Sequence, residues 1–257
     1  MNAAVGPAVL DVDVVVAAVE RHPTACRMRL AWPDAFAGAR AGQFALVRSL
    51  RPGAPPLPRP ISLVPAPGGL EMVFNIVGEG TRVLADAEVG EMVALVGPLG
   101  NAFSASAEPI VIVADTPHIG TMLALGVERR AAGLADRFVF VTDPAAPHPS
   151  DGVVRSVLAQ AGLDPQDAAP DTLDAILADH PAAYIAAGAA DPAMACVQRF
   201  AAARGIAGEA SLQAPMACGL SVCQVCIHPA QAGAPFLVCD GPIFPLAQPA
   251  FGGGAHS

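Results

Sequence analysis

The chain's most reactive side chains are crowded near its end. Cys218, Cys223 and Cys226 fall within the stretch MACGLSVCQVC, and Cys239 follows, in the pattern C-x4-C-x2-C-x12-C. Four thiolates converging on one loop can hold two irons, and the first three ligands fit the spacing of plant-type [2Fe–2S] proteins. A short loop can wrap such a cluster while its backbone N–H groups donate to the sulfurs. Gly219 and Ser221 are small enough to let the backbone approach closely. Other readings stand beside this one. A structural zinc could take all four thiolates, although only Cys223 and Cys226 form the C-x2-C knuckle that zinc sites usually show twice. Disulfides need an oxidising compartment, and nothing here points to secretion. Unrelated buried thiols would rarely fall at this spacing. Cys26 and Cys196 lie in strand-like and helix-like apolar settings and read as small core fillers.

The elements that must position these thiols come in two groups. Up to about residue 104, VDVVVAAVE, CRMRLAW, GQFALVRSL, ISLVPA, LEMVFNIV and MVALVGPLG are short, rich in Val and Ile, and separated by Gly, Pro and acidic turns. Strands at this spacing before any convincing helix predict an antiparallel barrel or sandwich. Beyond Phe103 the pattern changes. PIVIVAD, RFVFVTD and AAYIAAG read as buried strands, alternating with helices over GTMLALGVERRAAG, GVVRSVLAQAG and DPAMACVQRFAAARG, with Asp191 placed as a cap. That alternation predicts a small parallel α/β domain. LDPQDAAPDT reads as a surface connection, the tail from about Ser211 has little regular pattern of its own, and the terminal GGGAHS reads as frayed. The expected division is 1–104 for the barrel, 105–208 for a nucleotide-binding-like α/β domain and 209–257 for the cysteine-bearing tail.

Composition narrows the function classes. The 257 residues carry a net charge of −9, 53% hydrophobic and 14% charged residues. Every basic residue is an arginine. The acidic balance and the absence of a basic cluster argue against a nucleic-acid partner, and one Trp and one Tyr offer no base-stacking platform. Ala supplies much of the apolar count, and no uninterrupted apolar run is long enough to span a bilayer. The first residues carry acids within their apolar part and do not read as a signal peptide. The expectation is a cytoplasmic protein.

Two shorter motifs could bind an anion or a flavin. RPISL, Arg59 to Leu63, sets a planar donor fork beside an adaptable hydroxyl at a strand start. GEGTRVL, with Gly78, Gly80 and Thr81 before a short helix-like segment, could present backbone N–H groups to a pyrophosphate. Each alone also suits an ordinary strand start or turn.

Taken in order, RPIS, GEGT, VGPLGNAF (Val96 to Phe103), an α/β unit, the four-cysteine pattern and DGPIF (Asp240 to Phe244) resemble the dihydroorotate dehydrogenase electron-transfer subunits. These belong to the wider ferredoxin-reductase-like flavoproteins, and the resemblance runs over nearly the whole chain. It implies FAD in the barrel domain and a [2Fe–2S] cluster in the tail. Arg59, Pro60, Ile61 and Ser62 match the family's FAD motif, and Gly80 and Thr81 its pyrophosphate-contacting turn. Val73, Phe74 and Asn75 match a strand lining the flavin, where the family commonly has Arg at the place of Asn75. Cys218, Cys223, Cys226 and Cys239 match the cluster ligands one by one.

The chain also departs from that family. Relatives carry a glycine-rich turn after the first strand of the α/β domain, where a nicotinamide dinucleotide's pyrophosphate meets a helix N-terminus. Here that place reads VADTPHIG, Val113 to Gly120. Only Gly120 survives, and Asp115 brings a carboxylate to where a phosphate would sit. His118 could serve as a replacement ligand or proton donor, but reads first as a solvent-facing loop histidine. At the end of the third strand, Ala187 and Ala189 stand in the places of a family Cys and Pro. Both changes argue against ordinary use of NAD(H).

The resemblance implies an electron-transfer subunit docked on a catalytic flavoprotein that oxidises a dihydropyrimidine-like substrate, dihydroorotate first, within pyrimidine biosynthesis. Family habit implies a heterotetramer; the electron acceptor is unidentified. No side-chain acid–base or nucleophilic set is visible, which suits a chain whose cofactors carry the chemistry. Two rivals stay open: a free-standing ferredoxin or NAD(P) reductase-like subunit, and a structural subunit that keeps its metal loop only as a staple.

Overall fold

The computed structural model describes residues 9–31, 38–66, 69–104, 108–180 and 182–252. All but the first residue of the GGGAHS terminus therefore lies outside the described residues.

The strand-rich half supplies β1 (Leu10–Arg21), β2 (Ala25–Ala31), β3 (Phe44–Ser49), β4 (Arg59–Ser62), β5 (Val64–Ala66), β6 (Gly69–Asn75) and β7 (Met92–Leu99), with α1 (Glu79–Ala85) between the last two. They form one antiparallel sheet in the order β4-β3-β7-β1-β2-β6-β5. Only Leu63 separates β4 on one edge from β5 on the other. Two opposite edges joined by a single residue must lie side by side, so the sheet curls into a nearly closed barrel. The alternation in the sequence serves that closure: Val14 and Val16 point into the barrel core with Met28, Leu30, Leu70 and Met72, while Val15 faces outward.

The second half builds β8 (Val111–Ala114), α2 (Ile119–Ala131), β9 (Arg137–Val141), α3 (Asp151–Gln160), β10 (Gln166–Ala168), α4 (Leu173–Ala178), β11 (Tyr184–Gly188), α5 (Asp191–Arg204) and β12 (Ala207–Ser211). The sheet order is β10-β9-β8-β11-β12-β15, parallel except for β15 (Ile243–Pro245), which the tail adds antiparallel to β12. Apolar runs without alternation are what a sheet covered on both faces requires. Ile112, Phe138, Phe140 and Ala186 pack under α2 and α3, and their neighbours Val111, Val113, Val139 and Ile185 pack under α4 and α5. At the end of α2, the Arg129 guanidinium is buried against Asp136, whose carboxylate also accepts the Ile110 N–H at 3.0 Å.

Three local expectations are corrected. The supposed connection LDPQDAAPDT contains β10, a three-residue edge strand whose pairing with β9, not its composition, makes it a strand. The N-cap of α5 is Ala190, and Asp191 is the first residue of the helix, where its charge faces the positive end of the dipole. The tail is more regular than its sequence implies: β13 (Ile227–His228) pairs with β14 (Phe236–Leu237), and β15 joins the main sheet.

Candidate functional site

A cleft of about 340 Å³ opens between the barrel and the α/β sheet, within the ~300–1,000 Å³ usual for small-molecule sites. Arg59, Pro60, Ile61 and Ser62 of β4 line it, as do Val73, Phe74 and Asn75 of β6 and Thr81 of α1. The far wall comes from Pro117, Gly120, Thr121 and His148, and the floor from Leu212 to Ala214, Met216 and Pro242. Of these, Thr121, His148 and Leu212 to Ala214 belong to no motif in the sequence; only folding brings them to the barrel motifs.

Arg59 is held at the rim, its Nη1 donating to the carbonyls of Leu57 at 3.0 Å and Pro58 at 3.2 Å. Gly80 stands behind it and is absent from the cleft wall. A Cβ there would lie 2.1 Å from Arg59 Nε, so the bare glycine makes room for the guanidinium. The Thr81 hydroxyl is spent on its own turn: Oγ1 accepts the N–H groups of Val77 at 3.0 Å and Gly78 at 3.2 Å.

The wall facing β4 and β6 is shut by direct contacts. Ser62 Oγ and Thr121 Oγ1 are 2.6 Å apart, and Asn75 Nδ2 donates to the Thr116 carbonyl at 3.3 Å. A Cβ on Gly120 would come within 3.0 Å of the Val73 carbonyl oxygen, so α2 enters hard against the barrel. His118, expected to face solvent, is buried, and its Nδ1 lies 2.7 Å from Asp115 Oδ1.

Met216 lines the cleft, and Cys218 begins the thiol loop two positions on. All six cysteines are free thiols. Within the loop they gather in two pairs. Cys218 Sγ accepts the N–H of Leu220 at 3.3 Å and of Cys223 at 3.4 Å, while Cys226 and Cys239 lie sulfur to sulfur at 3.1 Å. The Ser221 N–H, donating to Cys239 Sγ at 3.2 Å, brings the first half of the loop against the second pair. Among the described residues, no three His, Cys, Asp or Glu side chains surround a single point closely enough to hold one ion. Gly219, Ser221 and Gln224 all have positive φ, 63°, 61° and 57°, which turns successive N–H groups inward. Those donors hold the Cys218 thiol down to about 6, first through Leu220 and then through Cys223, whereas burial pushes Cys226 upward. Cys26 and Cys196 are buried, and burial raises their thiols to about 12 and about 11.

The loop and the strand that follows it are pinned to the barrel half. A Cβ on Gly219 would meet Leu46 of β3 at 3.0 Å. Asn101 donates through Nδ2 to the Ile243 carbonyl at 2.7 Å and accepts the Ile243 N–H at 3.1 Å, as a strand neighbour would. VGPLGNAF and DGPIF, far apart in sequence, are thus one joint.

No family model matches the chain. It is 26% identical over 251 residues to the dihydroorotate dehydrogenase B (NAD(+)) electron transfer subunit of Desulforamulus reducens, covering 88% of this chain and 92% of that one. The chain is a relative of those electron-transfer subunits. The homologue of the same name from Clostridium acetobutylicum is 24% identical over 216 residues, covering 80% of this chain and 84% of its own. Among solved structures, the fold matches an NADH-dependent reduced ferredoxin-NADP oxidoreductase with a TM-score of 0.74 at 19% identity, over 93% of this chain and 90% of that one. Phthalate dioxygenase reductase matches with a TM-score of 0.59 at 15% identity, over 87% of each. The fold is ferredoxin-reductase-like, as the motif resemblance implies. No helix among the described residues is long and apolar enough to cross a membrane.

Proposed function

We propose that the chain is an oxidoreductase component, an electron-transfer subunit that holds FAD in the cleft and a [2Fe–2S] cluster in the thiol loop. It would carry electrons from a dihydroorotate dehydrogenase-type catalytic flavoprotein to an acceptor other than a nicotinamide nucleotide. When bound, the two groups would link two-electron and one-electron chemistry, and the chain's own residues position them and exclude water.

The observation that carries this reading is the thiol loop itself. Two thiol pairs, each with backbone N–H groups donating to sulfur, would give two irons two thiolates apiece, and the C-x4-C-x2-C spacing favours that over one zinc. Met216, two positions before Cys218, lines the cleft, which supports a short distance between the two sites. In the cleft, Arg59 would meet phosphate or the polar edge of a flavin, Ser62 would offer its hydroxyl, and Val73 and Phe74 a flat apolar wall. Asn75 presents its amide to Thr116 and leaves no cation at that place, so flavin would be held there by shape and hydrogen bonding. With the division into 1–104, 105–208 and 209–257, the first unit would supply the FAD motif residues and the third the four thiols, the second and third also walling the cleft.

Co-expression with the catalytic partner and anaerobic purification test the reading. Flavin absorbance together with iron and acid-labile sulfide in equal amounts is the expected result. Zinc in place of iron, or a chain that binds its partner without flavin, would overturn it.

A further inference from the structure

The parallel sheet has a switch point. From β8 the chain moves outward to β9 and β10, then returns to lay β11 on the other side of β8. In sheets of this kind ligands bind beyond the carboxyl ends of the strands at that crevice, and helix N-termini there attract anions. Here the crevice lies between Asp115, directly after β8, and Ala190, just beyond β11. It is filled by the chain's own carboxylate.

Asp115 Oδ2 accepts the N–H of Ala190, the N-cap of α5, at 2.7 Å. Its Oδ1 accepts the N–H of His118, the N-cap of α2, at 3.1 Å and lies 2.7 Å from His118 Nδ1. Both side chains are 11% exposed, so this is an interior pair and not a loop in solvent. One carboxylate thereby takes the N-cap N–H of each of two helix starts and stands in front of the first-turn N–H groups they would offer a phosphate. Beside it, Ser211 at the end of β12 buries a hydroxyl that has no hydrogen-bond partner, a group that a polar ligand in the crevice would satisfy. A Cβ on Gly188 would lie 3.1 Å from the Cβ atoms of both His118 and Ser211, which places the orphan hydroxyl at the same point of the sheet. From the barrel side Asn75 holds the Thr116 carbonyl, and from the tail Gln213 Nε2 donates to the Pro117 carbonyl at 2.7 Å. The segment between β8 and α2 is therefore tied down from two sides, by the barrel and by the tail.

We infer that Asp115 is a built-in anion standing where a dinucleotide's phosphates would bind, and that it sets the chain's specificity against nicotinamide dinucleotides. The inference deepens the reading of the acceptor given above and rests on it. A second anion brought to the crevice meets a like charge and finds both N-cap N–H groups already taken. Asn75 has a part in this as a positioning residue, fastening the segment that carries the carboxylate.

The test is calorimetric binding of inorganic pyrophosphate and of NADH to the full chain in its purified complex, at low ionic strength. Wild type should bind neither saturably. Asp115→Ala should bind pyrophosphate at least tenfold more tightly, and Asp115→Asn, which removes the charge at nearly constant volume, should show a smaller gain. Should Asp115→Ala fail to fold, the near-isosteric Asp115→Asn decides alone. Wild-type binding of NADH as tight as that of either variant would overturn the inference, and so would variants that gain nothing. Because the readout is binding and not electron flow, a chain lacking flavin or cluster would fail the functional reading and still decide this one.

Discussion

Gly80 shows what one absent methyl group does at this site. The Arg59 guanidinium occupies the space a Cβ would need, and because that guanidinium ends a flexible side chain, Gly80→Ala should fold normally while pushing Arg59 off the rim. Flavin affinity should fall about tenfold, roughly 1.4 kcal/mol, with little change in melting temperature; fluorescence titration with FAD checks it. The thiols divide just as sharply. After iron removal, Cys218, held near 6 by backbone donors, should alkylate rapidly at neutral pH. Cys26 and Cys196, raised by burial to about 12 and about 11, should stay silent at pH 9 in the folded chain. Mass spectrometry of peptides after brief iodoacetamide treatment reads both outcomes at once.

At the scale of elements, two joints carry the architecture. Asn101 mimics a strand neighbour for Ile243, and Asn101→Ala would strip both partners from that backbone. The expected cost is about 1–3 kcal/mol, accompanied by faster loss of iron because the joint sits next to Cys239; denaturant unfolding and iron release rates measure the two effects. In the α/β half, Asp136→Ala would take the Asp136 carboxylate from the buried Arg129 guanidinium, while its bond to the Glu108 carbonyl stays. Loss of a buried partner of this kind costs about 3–5 kcal/mol, which should appear as a clear drop in thermal stability. Sequence patterns and structure meet well at this scale. Apolar runs predict the strands and helices because burial on one face or two leaves periods of two and of 3.6 residues. They miss β10, since QDA has no pattern and becomes a strand only by pairing with the β9 edge. They misread His118 for a similar reason: its burial depends on Asp115, whose other oxygen is held by an N–H that arrives 75 positions later in the chain.

For the whole molecule, the cysteine spacing was legible and the cleft was only half legible. The β4 and β6 walls come from local motifs, whereas Thr121, His148 and Met216 reach the cleft through the packing of one half on the other. The consequence is a short path from cleft to thiol loop on one side and a crevice closed by the chain's own carboxylate on the other. The central claim is that electrons enter from a catalytic flavoprotein and do not leave through a nicotinamide nucleotide. An anaerobic UV-visible titration of the copurified complex, first with dihydroorotate and then, on a fresh sample, with NADH, tests it most directly. The account predicts bleaching of the flavin and iron–sulfur bands by dihydroorotate and no change with NADH; prompt reduction by NADH would contradict it.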